Sequence, residues 1–186
     1  MEYSFLGKTG LRVSRLCLGT MTFTNSGDNA RTCDRKTCFA ILNKFVEAGG
    51  NFIDTADAYW AGDSERVIGD WLQTQDRSKI ILATKCGSNN IPGNINTPGL
   101  SRHNIIRFDR LHQRIIYKIQ LKQLLRSVEE SLERLQTSYI DILFTHVWDD
   151  GTPIEETLET LNWLVEQGKV RIEGRLHPED NICVCR

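Results

Sequence analysis

The chain has 186 residues, 40% of them hydrophobic, and a formal net charge of −1. That composition describes a soluble globular protein with enough apolar material for a core, and the near balance of charge argues against a nucleic-acid or acidic-membrane partner. The N-terminal MEYSFLGKTG lacks the basic start and long apolar core of a signal peptide, and no run approaches the roughly 18 apolar residues of a spanning helix, so no membrane insertion is expected and the expected address is cytoplasmic.

In chain order, YSFLGKTGLRVS reads as a short hairpin turned between Gly7 and Gly10. RLCLGT is a brief apolar run stopped by Gly19. Residues 38–48 carry Phe39, Ile41, Leu42, Phe45 and Val46 at helical spacing and end at Gly49-Gly50, a C-terminal stop. Asn51 to Thr55 is the second strand of the run. Ser64 is placed as the N-cap of a helix reaching about Gln75. The β-branched KIILATK, 79–85, reads as the third strand, SVEESLERL, 127–135, as a helix, and Tyr139 to Phe144 as the fourth strand. Thr152-Pro153 caps a further helix that continues to Gly168, after which Lys169-Val170-Arg171 begins a fifth strand.

Strand and helix in alternation, joined by short turns, imply parallel strands with crossover helices in an α/β fold. Two closures fit: an open doubly wound sheet and an eight-stranded barrel. The first wants a glycine-rich phosphate loop after its opening strand, and GTMTF is not one. GDSERVIG is not one either, since it lacks the lysine-serine ending. In a barrel the working residues lie where the strands end.

Four polar residues collect at such ends. Asp54 closes the second strand, with Tyr59 in the loop beyond; Lys85 closes the third; His146 follows the fourth. Neighbouring parallel strands lie about 4.8 Å apart, so these side chains can meet. Together they suit proton donation to a carbonyl. A free phenol titrates near about 10, too high for an efficient acid at neutral pH, and an adjacent ammonium can lower that by roughly 1–3 units. A carboxylate would keep the lysine charged and oriented, and a neutral imidazole could position the substrate oxygen. Hydride must come from a cofactor, since no side chain carries it. Trp60 and Trp148, next to these residues, are candidates for lining a substrate pocket; Trp71 and Trp163 read as packing.

The six cysteines, at 17, 33, 38, 86, 183 and 185, show no repeated zinc spacing and read as reduced thiols, and His103, His112 and His177 stand alone, so no metal is assigned.

FLGKTGLRVSRLCLGTMTF, GGNFIDTADAYWAGDSERVIGDWL, ILATKCG and SLERLQTSYIDILFTHVWD resemble the successive motifs of the aldo-keto reductase family, over most of residues 3–171. The resemblance implies a (β/α)8 TIM barrel using NADP(H) to reduce small-molecule aldehydes or ketones to alcohols. It implies Tyr59 as general acid, Lys85 lowering its pKa, Asp54 supporting Lys85, and His146 orienting the carbonyl. It also implies that Gly19, Thr20, Met21 and Asp54 lie near the nicotinamide, and that SNNIPGNINTPGLS lines the substrate site.

Two departures from that pattern shape the expected domain organisation, a single partial domain over 1–186. Residues 105–122, IRFDRLHQRIIYKIQLKQ, intervene before the RSVEESL helix. They read as an insertion with no selected role, or alternatively as a basic amphipathic helix for a membrane or partner surface. After GKVR the chain reads IEGRLHPEDNICVCR, so 172–186 is set apart as a non-family tail and the barrel as incomplete, holding the hairpin and about four to five β/α units. A whole barrel takes about 250 residues. The segments that would grip most of the cofactor are missing, so the chain alone is expected to bind NADPH weakly or not at all, and to aggregate or self-associate through exposed barrel edges. The alternatives to a reductase are a non-catalytic regulatory or channel-auxiliary subunit and an inactive truncated isoform.

Overall fold

The computed structural model describes residues 1–87, 127–147 and 153–175, with side chains through Glu173. The substrate-loop segment, the 105–122 insertion, Trp148, Thr152 and the residues after Arg175 lie outside the described residues, and with them the readings made on those positions.

The chain opens with an antiparallel hairpin, β1 (Tyr3–Phe5) and β2 (Arg12–Ser14), with Tyr3 opposite Ser14. Its turn uses Gly7 and Gly10, both at positive φ (54° and 74°), a conformation glycine adopts without steric cost. Five strands then form one parallel sheet: β3 (Leu18–Gly19), β4 (Phe52–Asp54), β5 (Ile81–Cys86), β6 (Ile140–Thr145) and β7 (Val170–Arg175). Their spatial order is their chain order. A doubly wound sheet reverses direction at a switch point, and a barrel does not, so this order decides between the two closures in favour of the barrel type. The connecting helices are α1 (Arg35–Glu47), α2 (Asp63–Leu72), α3 (residues 127–135) and α4 (Ile154–Glu166).

Both faces of the sheet are covered, which is why its strands are apolar at nearly every position. On one face Ile53, Leu82 and Leu143 pack against Leu42, Val67, Ile68, Trp71, Leu135 and Leu164 from the helices. On the other, Ile81, Ala83, Ile142 and Ile172 meet Val13, Leu6 and Leu11 of the hairpin, which plugs that side. Trp71 is fully buried and Trp163 packs at the core's margin, as their reading as packing residues expects.

Several element ends differ from the sequence reading. The first helix begins at Arg35 rather than 38, because Asp34 caps it by accepting from the Thr37 N–H. Residues 77–79 form a 3₁₀ turn held by Asp76, so β5 starts two residues late. Ser64 is not an N-cap. α2 starts at Asp63 after Gly62, which turns the chain at φ 83° and supplies no side-chain cap, while the Ser64 hydroxyl faces inward. Pro153, without a side-chain cap bond, precedes α4. β7 takes in residues 172–175, the first part of the stretch set apart as a tail, and Ile172 is buried on the hairpin face.

Candidate active site

In a parallel sheet all strands end at one rim, and side chains alternate between faces. The register pairs Asp54 with Ala83, Ala83 with Ile142, and Lys85 with Phe144. Ala83 and Ile142 belong to the hairpin face, so Asp54 and, one layer further along, Lys85 share that face at the C-terminal rim. His146 directly follows β6 and keeps it in register by donating its backbone N–H to the Cys86 carbonyl at 2.7 Å.

Lys85 is the centre of the group. Its Nζ donates to Asp54 Oδ2 at 2.6 Å, to the Thr55 carbonyl at 2.9 Å and to Tyr59 Oη at 3.1 Å. An ammonium has three protons and accepts nothing, so these three bonds use it completely. One consequence concerns Tyr59. Its oxygen is already an acceptor from Lys85, which leaves its own O–H free to be given elsewhere. The side chains of Lys85 and Asp54 are 13% and 26% exposed, so the pair is largely shielded from water yet open at the rim.

His146 stands edge-on to Tyr59, with ring centroids 5.9 Å apart. Its Nδ1 is buried and finds no partner among the described residues. Burial lowers its pKa from the ordinary value, the Lys85 cation adds to this, and Asp54 opposes it. The imidazole is therefore neutral at physiological pH.

The loop between β4 and α2 carries Tyr59 through three successive positive-φ residues, Trp60 (52°), Ala61 (53°) and Gly62 (83°). Two of these are not glycine, and such conformations are sparsely populated and need support from their surroundings. The Trp60 indole N–H supplies some by donating to the Met21 carbonyl at 2.6 Å, and Arg66 donates to the Ala61 carbonyl at 3.2 Å. Trp60 and Met21 remain exposed beside Tyr59.

Gly19 pairs with Asp54 across β3 and β4, and a Cβ built on it would meet nothing within 4 Å, so there is open room above that backbone. Thr20 is fully buried, with its hydroxyl donated to the Asp54 carbonyl at 3.0 Å. Asp54, Tyr59, Lys85 and His146 thus meet at one rim, with Gly19, Met21 and Trp60 around them, and Thr20 beneath. Among the described residues no three His, Cys, Asp or Glu side chains form a metal-ligand group.

Sequence reasoning passed over the layer behind the rim. Glu65 is fully buried and accepts from Thr84 Oγ1 at 2.6 Å and Arg134 Nε at 2.7 Å. Asp57 is also buried, and desolvation, with the Glu65 carboxylate second, pushes it up to about 7. A signal for Ser64 and Glu65 existed: they share the stripe of Ile68, Trp71 and Leu72, the side of α2 that faces the core.

Known proteins share this sequence and fold. The Aldo/keto reductase family model matches residues 15–174. A norsolorinic acid reductase of Aspergillus flavus is 42% identical over 167 residues, covering 89% of this chain and 39% of its own. An aryl-alcohol dehydrogenase, GME11368 of Pestalotiopsis microspora, is 36% identical over 166 residues, covering 88% and 39%. Among solved structures, the holo form of aldo-keto reductase AKR11C1 from Bacillus halodurans superposes with a TM-score of 0.73 at 30% identity, covering 94% of this chain and 50% of that one. The chain therefore spans about two-fifths of the length of these curated relatives. With a matched model over most of its residues, the same singly wound sheet and a relative above two-fifths identity, the chain belongs to the aldo/keto reductase family.

Proposed function

We propose that the rim at Asp54, Tyr59, Lys85 and His146 serves the reduction of a carbonyl to an alcohol, with Tyr59 as the proton donor. The observation that carries this reading is the saturation of Lys85 Nζ by Asp54, Thr55 and Tyr59, which leaves the phenol proton as the transferable one. As Tyr59 gives up that proton, the ammonium 3.1 Å away stabilises the negative charge left on its oxygen. Asp54 pairs with the lysine at 2.6 Å and keeps it aimed. His146, neutral and edge-on to Tyr59, would orient the substrate oxygen.

NADP(H), when bound, supplies the hydride. The residues present fit its reactive end: the open backbone at Gly19, the exposed Met21 and the Asp54 carboxylate border the space in front of Tyr59 and His146. Thr20 supports this end from beneath: it is fully buried, its hydroxyl and N–H both reach the Asp54 carbonyl, and its own carbonyl accepts from Ser64 and Phe23. A relative named for aryl alcohols, together with the exposed Trp60 and Met21 at the rim, favours an aromatic carbonyl substrate. β3 and β7 each have one neighbour among the described residues, and self-association through those edges is expected.

Consumption of NADPH in the presence of a nitrobenzaldehyde tests the reading. Turnover that depends on both aldehyde and Tyr59 supports it; turnover equal in Tyr59→Phe contradicts it.

A further inference from the structure

The first turn of α2 lies directly behind the rim, and three consecutive residues in it each grip a different element. Asp63 accepts the Asn25 backbone N–H at 2.7 Å and its side-chain amide at 2.5 Å, fixing the loop after β3. Ser64, fully buried, donates to the Thr20 carbonyl at 3.0 Å and lies 3.0 Å from Thr55 Oγ1 and 2.9 Å from Thr20 Oγ1. Glu65 binds Thr84 of β5 and Arg134 of α3.

Each hydroxyl has one proton to give. The hydroxyls of Thr20, Ser64 and Thr55 share these protons among themselves and with the carbonyls of Asp54 and Thr20. The knot joins Thr55, Ser64 and Thr20 to the Asp54 carbonyl, and it clamps residues 54 and 55. Those two residues supply Lys85 with two of its three acceptors. Thr84 is the neighbour of Lys85 on the opposite face of β5. The charge-assisted bond to Glu65 fixes Thr84 on the helix face, and with it the direction in which Lys85 projects on the other. A buried carboxylate requires a partner, and Arg134 supplies it with an ion pair at 2.7 Å.

We propose that Ser64, Glu65 and Thr84 are positioning residues: through the hydroxyl knot and the buried carboxylate they set the reach of Lys85 Nζ to Tyr59 Oη. The proposal rests on the reading of Tyr59 as proton donor.

Thr84→Val removes the hydroxyl and keeps the shape, Thr84→Ser restores it, and Ser64→Ala opens the knot from the other side should Thr84→Val fail to fold. Two readouts are taken on the full chain: kcat and the KM for NADPH in carbonyl reduction, and the NMR titration of the His146 imidazole without cofactor, identified by its absence in His146→Gln. Lys85 helps to hold His146 below its ordinary value, so an ammonium that has moved away lets that titration rise. The expected result is a kcat lower by roughly 10- to 100-fold, as for an ångström-scale misplacement, an unchanged KM for NADPH, a His146 midpoint shifted upward, and recovery of both in Thr84→Ser. Folded Thr84→Val or Ser64→Ala with wild-type kcat and wild-type His146 titration would overturn the proposal. If the wild-type chain reduces no carbonyl but the His146 midpoint moves, the functional reading fails and the positioning stands. If the wild type turns over and the variants match it in both readouts, the reverse holds.

Discussion

Lys85 Nζ donates to Tyr59 Oη at 3.1 Å and carries no proton that is not already committed to Asp54, Thr55 or Tyr59 itself. The lysine can therefore stabilise charge on the phenol but has no free N–H with which to contact a substrate directly. Proton transfer falls to Tyr59. Tyr59→Phe is expected to lower kcat by about 10²–10⁴-fold, the usual contribution of a general acid, with the fold intact. Lys85→Met should do comparable damage, while Lys85→Arg, longer and planar, should not restore it. Steady-state kinetics with thermal melts as controls measure this.

His146 is held below its ordinary pKa, first by burial and then by Lys85. As a neutral ring it can orient a carbonyl oxygen across the neutral range, and only acid beyond its depressed value charges it. Its contribution to kcat/KM should be lost on the acid side, with a midpoint below the pH at which a free imidazole titrates. His146→Gln should lose rate and the acid limb together. An acid limb centred at or above 6.5 in the wild type would contradict this assignment.

Asp57 gives a stability signature of opposite sense. Its folded value of about 7 is above the ordinary 3.8, so the folded chain binds this proton more tightly than the unfolded chain does. Between those values stability must fall as pH rises, levelling off above about 7. Asp57→Asn cannot ionise and should remove that slope, leaving the variant more stable than wild type at pH 8, by an amount of the order of a few kcal/mol. Urea denaturation at pH 5, 6, 7 and 8 reads both curves.

Gly69 lies on α2 where it meets α3, and a Cβ there would stand 2.2 Å from the Arg134 carbonyl oxygen. In an open helix Gly→Ala gains about 0.5–1 kcal/mol. Here backbone must move instead, and overpacking of that kind costs about 1–3 kcal/mol or more. Gly69→Ala should destabilise, and because Arg134 bridges to Glu65 it should also lower kcat. A stabilised Gly69→Ala would show that the two helices pack less closely than the structure has them.

Much of this was legible from periodicity and punctuation. The strand run at Asn51 to Thr55 and the stop at Gly49-Gly50 placed β4, and through it Asp54, before any geometry was known. The rim followed because parallel strands all end on one side. The single winding that excluded the open sheet was not legible, since chain order alone does not say which strands become neighbours. The Ser64 reading failed for a related reason. A serine before an apolar stripe satisfies the cap pattern, but the pattern takes no account of Thr20 and Thr55, 44 and 9 residues away, which compete for the same hydroxyl. Glu65 escaped notice because a charged residue is assumed to be solvated, and its partners Thr84 and Arg134 come from two other elements.

In the proposed reaction the phenol proton of Tyr59 and a nicotinamide hydride meet at one carbonyl. The most direct measurement is isotope transfer: the chain is incubated with excess NADPH deuterated at the nicotinamide C4 and an aromatic aldehyde, and the alcohol is examined by mass spectrometry. The account predicts an alcohol carrying one deuterium on its carbinol carbon, formed by the wild type and nearly absent with Tyr59→Phe. Alcohol without deuterium, none at all at saturating NADPH, or equal incorporation by Tyr59→Phe would contradict it.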